Sequence, residues 1–263
     1  MLRTIHAGAG KAASMTHAAQ DGGWQHSAWA RTVHGLVALL SASGLVSSLY
    51  LGWTRDTDLP AGVGYSGGFS AGWDHMLNQG AYFTFLSGTL VCLTSGLLAL
   101  RPERRSLVFG ALRLCGVVCI VITGLVFNLL LREGGTLSGI MLFNDTVLHV
   151  MLPVVAPLVW LVVGPRGHIS GRVVPLSLTV PLAWLAVTLL RGPALDWYPY
   201  VILDVPGMGY EGVGIYIGAI LLGYLVLACA LWGVDRLIAA GTGASGATRS
   251  GRPGTSTPPR SCP

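Results

Sequence analysis

Residues 108–131 read VFGALRLCGVVCIVITGLVFNLLL, a run interrupted only by one charge, Arg113, one hydroxyl, Thr123, and one amide, Asn128. At a rise of about 1.5 Å per residue a helix over this run extends for about 36 Å, enough to cross the roughly 30 Å hydrocarbon core of a bilayer. Outward from it, similar runs bounded by Arg, Asp, Glu or Gly/Pro clusters lie at about 33–52, 80–100, 146–164, 173–190 and 213–238. The pattern predicts an all-α polytopic integral membrane protein with six transmembrane helices. Pro153, Pro157, Pro175 and Pro181 fall within or at the ends of the fourth and fifth runs and predict kinks there.

Composition agrees. The chain has 263 residues, of which 52% are hydrophobic and 10% charged, against about 25% charged in a soluble domain. With a mean hydropathy of +0.63, an ordinary soluble enzyme and a disordered chain are both excluded. The net charge of +5 comes from 15 Arg and one Lys scattered between apolar runs; with no basic face and no stacking aromatics it does not point to nucleic acid. Thirteen of the positive residues precede the first run, follow the sixth, or lie at the second-to-third and fourth-to-fifth connections, while the other three loops hold only Arg55, Arg132 and Arg191. That asymmetry predicts cytoplasmic N- and C-termini, with 53–79, 132–145 and 191–212 outside. The domain reading is a polar cytoplasmic tail over 1–31, a six-helix domain over 32–239 and a Gly/Ser/Pro/Arg-rich tail over 240–263 that is expected to be disordered. Residues 1–31 lack an apolar stretch, so the first span is expected to act as its own insertion signal. The excess of Arg over Lys and the 37 glycines suggest a high-GC genome and a bacterial plasma membrane.

Within the spans polar side chains are costly unless they have partners or face water. Thr84 lies about 6 Å into the second run, His149 enters with the fourth, and Asn128 leaves with the third, so three polar groups on three helices share one depth. Above them, Asp74, His75, Asn144, Asp145 and the segment from Asp196 to Tyr210 form a polar cup. Trp197, Tyr198 and Tyr200 also fit an interfacial aromatic belt. A hydroxyl nucleophile needs an adjacent base, and an imidazole can accept its proton, which makes Thr84 and His149 candidate catalytic partners. Asp145, four residues before His149 on the same helical face, can orient the imidazole, and Asn128 can donate to an oxyanion.

The segments Gly80-Ala81-Tyr82-Phe83-Thr84-Phe85-Leu86-Ser87, His149-Val150-Met151-Leu152-Pro153 and Asp196-Trp197-Tyr198-Pro199-Tyr200-Val201-Ile202-Leu203-Asp204 occur in order along the chain. This ordered set resembles the androgen-induced-gene family of multi-pass membrane proteins, in particular its bacterial members, over about residues 30–238. The resemblance implies an intramembrane threonine hydrolase of fatty-acid esters, with Thr84 as nucleophile and His149 as its base. Trp197, Tyr198, Tyr200 and Asp204 lie in its third motif as supporting residues. Two departures accompany it: Pro153 follows His149 by four positions rather than five, and the third motif ends in Tyr200-Val201-Ile202-Leu203-Asp204.

Other chemistries have weaker support. No cofactor is implied, and membrane lipids, including a fatty-acid ester substrate, are the expected partners. The sequence does not specify an oligomeric state. A metal site from Asp74, His75, Asp145 and His149 has competent ligands but no motif spacing. The cysteines in apolar runs, Cys92, Cys115, Cys119 and Cys229, fit the role of small hydrophobes. A small-molecule transporter would carry acids or histidines near midplane, and none is there. A noncatalytic membrane scaffold, with the segment from Asp196 to Tyr210 as a partner-binding lid, is the remaining alternative.

Overall fold

A computed structural model of the chain describes residues 27–132 and 134–249, with side chains through Ala240. The expected tail over 1–31 therefore lies largely outside the described residues, as do residues 250–263 and Cys262. Helix α1 spans Ala28–Thr54 and starts where the Ser27 hydroxyl accepts from the Ala30 N–H at 3.2 Å, satisfying one free donor of the first turn. A short helix α2, Trp73–Asn78, and a 3₁₀ turn, Gln79–Ala81, lead into α3, Phe83–Leu100. Helix α4, Leu107–Val126, continues as a π-helical turn over Phe127–Leu131. Helices α5, Gly139–Asp145, and α6, Leu152–Val163, form one rod joined by a second π turn, Thr146–Met151. Helices α7, Val173–Ser177, and α8, Thr179–Leu195, follow, then a 3₁₀ turn, Val201–Leu203, and α9, Val205–Arg249. No strand occurs among the described residues.

Among the described residues, six helical segments are long and apolar enough to cross a membrane: Ala28–Thr54, Phe83–Leu100, Leu107–Leu131, Gly139–Val163, Val173–Leu195 and Val205–Ala240. The chain is thus an all-α multi-pass membrane protein. Several ends differ from those read off the apolar runs, because caps and turns decide them and apolarity does not. The first span gains a polar turn behind Ser27, and the fourth begins at Gly139, absorbing Asn144 and Asp145 into its helix. The sixth begins at Val205 and bends at Gly209, whose φ of 69° and ψ of 169° are not helical; its backbone remains helical to Arg249, past the boundary expected at 239.

Helix α4 is the centre. From Phe109 to Gly124 nearly every residue is buried, as an all-round apolar helix requires, and it packs against α3, α6, α7 and α9. The Cys115 and Cys119 thiols lie 3.7 Å apart inside this core. Close helix approaches use small residues: a Cβ on Gly124 would stand 2.5 Å from the Pro153 ring, so only glycine lets α4 meet the fourth span there. Helices α8 and α9 are peripheral, and Leu190, Ile215 and Leu237 leave at least three-quarters of their surface uncovered, a face suited to lipid.

Candidate functional site

Thr84 is the second residue of α3, not the fourth of a longer span, because Tyr82 is extended (φ −77°, ψ 133°) and separates the 3₁₀ turn from the helix. Its backbone N–H is one of the donors that a helix start leaves without an intrahelical acceptor. It donates to the Tyr200 phenol oxygen at 3.3 Å. The Thr84 hydroxyl faces two groups, His149 Nε2 at 3.3 Å and the Tyr200 hydroxyl at 3.4 Å. These spacings lie at the long edge of hydrogen bonding.

His149 is held from three directions. Its Nδ1 lies 3.1 Å from Asp145 Oδ1, and Asp145 Oδ2 accepts from Arg132 Nη2 at 3.1 Å. An Nδ1–H donated to the carboxylate leaves the Nε2 lone pair facing the threonine hydroxyl. Phe127 stacks on the imidazole, with ring centroids 3.6 Å apart and planes inclined by 6°, and the Arg132 guanidinium lies 5.0 Å from the same Phe127 ring. The structure brings Thr84, His149 and Asp145 together and adds Arg132 and Phe127 to them. Arg132 had a signal: it is a lone cation at the end of an apolar run, at the same depth as Asp145.

Asn128 does other work. Its Nδ2 donates to the Gly124 carbonyl at 2.7 Å and to the His149 carbonyl at 2.8 Å, and its Oδ1 accepts from Arg132 Nε at 3.0 Å. The His149 carbonyl needs that donor because Pro153, four residues on, has no N–H to offer it. The same missing bond accompanies the π turn, in which the Leu152 N–H reaches the Val147 carbonyl five residues back. With both amide hydrogens committed to carbonyls, Asn128 is not the oxyanion donor expected from its depth. It fixes the backbone that carries His149.

The third motif divides into two roles. Tyr200 lies against Tyr82 and Trp184 and reaches Thr84, and burial pushes its phenol pKa up, so it stays a neutral donor. Trp197 and Tyr198 are buried with Tyr65, Ile202, Leu203 and Val213 in a small core beneath the connecting loops, so neither forms an interfacial belt. Burial, with a contribution from the Asp204 charge, pushes Tyr65 up to about 12. Asp204 accepts from the backbone of Gly64 at 2.7 Å and of Gly207 at 3.0 Å, and Asp196 accepts from the Ser66 hydroxyl and N–H at 2.6 and 3.0 Å. These two carboxylates staple the first connecting loop to the last. Gly67 runs so close to the Leu195 and Asp196 carbonyls that a Cβ could not be accommodated.

Two other members of the expected polar cup line the mouth but are tied to α1 and its end, and a third lies apart. Asn144 donates to the Gly44 carbonyl and the Ser47 and Ser48 hydroxyls of α1, and His75 Nδ1 meets the Arg55 carbonyl at 2.6 Å. Asp74 lines a separate side cleft with Arg191 and Trp184. Among the described residues, no group of three or more His, Cys, Asp or Glu is placed to hold a metal ion.

Two cavities meet at Thr84. An apolar slot, about 750 Å³ when space open to solvent is included, runs between α4, α8 and α9, lined by residues such as Val126, Trp184, Leu185, Ile217 and Ile220. A polar mouth of about 1340 Å³, including space open to solvent, contains Arg55, Asp56, Asp58, His75, Arg132 and His149. Thr84, Phe127, Leu131 and Tyr200 line both. Compared against protein-family models, curated proteins and solved structures, the chain has no match.

Proposed function

We propose that the protein is an intramembrane threonine hydrolase of fatty-acyl esters. The observation that carries this reading is the line Arg132–Asp145–His149–Thr84, which ends in a hydroxyl where the apolar slot and the polar mouth join. The apolar lining of the slot suits an acyl chain, whose ester then lies at that junction, within reach of water from the mouth. The ordered sequence motifs, which contain Thr84, His149 and Tyr200, also support it. The distribution of positive residues supports a mouth facing the outer side, in a plasma membrane.

In the proposed reaction His149 Nε2 takes the Thr84 hydroxyl proton as Oγ1 attacks the ester carbonyl carbon. Asp145 stabilises the imidazolium and fixes its orientation, and Arg132 holds Asp145. Tyr200 donates to the oxyanion, the role that Asn128 is not free to take. The tetrahedral adduct collapses with loss of the alkoxide, which receives the proton from His149, leaving an acyl-threonine. Water then attacks the acyl carbon as His149 accepts its proton. Thr84 Oγ1 leaves and recovers that proton, releasing the fatty acid.

The test is hydrolysis of a fluorogenic long-chain acyl ester by protein in proteoliposomes. The wild type and Thr84→Ser are expected to release fluorophore, while Thr84→Ala and His149→Ala are not. Equal turnover by Thr84→Ala and wild type would reject the reading.

A further inference from the structure

The end of the bundle remote from Thr84 holds buried guanidinium and imidazole groups with nitrogen atoms that lack a hydrogen-bond partner among the described residues. Arg113, on α4, is separated from Asn128 by about 22 Å along the helix axis. It is only 6% exposed, and its Nε has no hydrogen-bond partner among the described residues. Arg166, in the 164–172 loop, lies within electrostatic reach of Arg113, so two guanidinium groups face each other's charge. Arg166 contacts the Leu161 carbonyl through Nη2 and rests 5.0 Å from the Trp160 ring centroid, while its buried Nε and Nη1 have no partner. His34 of α1 is 3% exposed, lies against the Val163 carbonyl and feels the charge of Arg113, and its Nδ1 is unpartnered. His168 of the loop also feels Arg113, and its buried Nε2 is unpartnered too.

The nearest carboxylate does not resolve this. Asp235 is 1% exposed, and its two oxygens accept from the backbone N–H groups of Gly167 and Ile169, each at 3.1 Å. It ties the loop to α9 and acts on Arg166 and His168 only through space, so among the described residues neither guanidinium has a carboxylate hydrogen-bonded to it. Burying unpaired cations and their N–H groups is strongly unfavourable, and placing two side by side adds repulsion. Such unpaired donors suit an anion: guanidinium forks match tetrahedral oxyanions, and a neutral imidazole still has one N–H to donate. The Trp160 ring holds one fork in place.

We propose that His34, Arg113, Arg166 and His168 form a binding site for a phosphate group at the end of the bundle opposite Thr84. His34 and Arg113 each lie six residues, about 9 Å, inside the starts of their helices, and Arg166 and His168 lie in the adjoining loop, so a lipid phosphodiester and free inorganic phosphate are the two sources of that chemistry. The site is independent of the reaction proposed at Thr84.

The experiment follows thermal unfolding of delipidated protein in detergent by tryptophan fluorescence. Inorganic phosphate is titrated against chloride at equal ionic strength, and phosphatidylglycerol against phosphate-free diacylglycerol. A saturable rise in Tm is expected with a phosphate-bearing probe, with the apparent affinity falling about tenfold in Arg113→Gln and in Arg166→Gln as a charged hydrogen bond is lost. A response to phosphatidylglycerol alone supports the site with a lipid headgroup as ligand, to inorganic phosphate alone with a soluble ligand, and to both with the phosphate group itself as the determinant. No saturable response to either probe, or the same affinity in the variants as in wild type, overturns the proposal. Arg166 lies in the loop outside the spans, so Arg166→Gln carries the comparison if Arg113→Gln does not fold.

Discussion

The two ends of the bundle handle buried polarity in opposite ways. Around Thr84, the guanidinium of Arg132, the carboxylate of Asp145, the imidazole of His149 and the phenol of Tyr200 are linked in sequence, and the Asn128 amide closes the network onto the backbone. Around Arg113, five buried nitrogen atoms on four cationic or ionisable side chains have no hydrogen-bond partner among the described residues, and the nearby carboxylate is hydrogen-bonded to the backbone. A network satisfied internally can hold reacting groups in place before any ligand arrives. An unsatisfied one depends on what binds it. The Thr84 end is therefore expected to keep its geometry without substrate, whereas the Arg113 end should gain stability from an anion.

The comparison breaks most sharply at the threonine. Thr84→Ala is expected to lower acyl-ester hydrolysis by about 10⁴-fold or more, and His149→Ala by a similar factor, because the two act as a unit. Asp145→Asn keeps the shape but removes the charge that orients and stabilises the imidazole. A fall of at least about 10²-fold in kcat is expected, measured in the same assay. Tyr200→Phe retains the ring between Tyr82 and Trp184 and removes only the hydroxyl. It should cost about 10²-fold in kcat with little change in KM, which separates an oxyanion donor from a residue that merely packs.

Two further changes sharpen the contrast through stability. Asn128→Ala leaves the Gly124 and His149 carbonyls without their donor and is expected to destabilise the fold by about 1–3 kcal/mol, read as a lower Tm. A smaller effect concerns the loop staple at Asp196, whose carboxyl pKa is held below the usual range by the Ser66 hydroxyl and backbone N–H. Because the folded pKa is the lower one, the staple contributes fully above the ordinary aspartate value of about 3.9 and is lost as pH falls through the depressed value. Limited proteolysis of the 55–72 loop should therefore quicken only on acidification below about pH 4, and Asp196→Asn should abolish that dependence.

The six spans were legible because each apolar run is long, while their ends were not, since Ser27, Tyr82 and Gly139 set them by capping and backbone geometry. Thr84, His149 and Asp145 were legible from depth and from the four-residue spacing on one helix. Tyr200 read as one aromatic among several at an interface, because its contact with Thr84 joins segments 116 residues apart. Asn128 was misread for a local reason: its acceptors are backbone carbonyls, one of them freed by Pro153, and depth alone cannot distinguish that use from facing a substrate. The phosphate cluster was hidden because Arg113 counted simply as one of the positive residues that set orientation.

The central claim is that Thr84 is a nucleophile activated by His149. Its most direct test is fluorophosphonate labelling of the purified protein in detergent, with the modified peptide identified by mass spectrometry. The account predicts an adduct on Thr84 in wild type that is absent from Thr84→Ala and His149→Ala proteins that remain folded. A wild type that is not labelled, or a label of equal yield in Thr84→Ala, would contradict it.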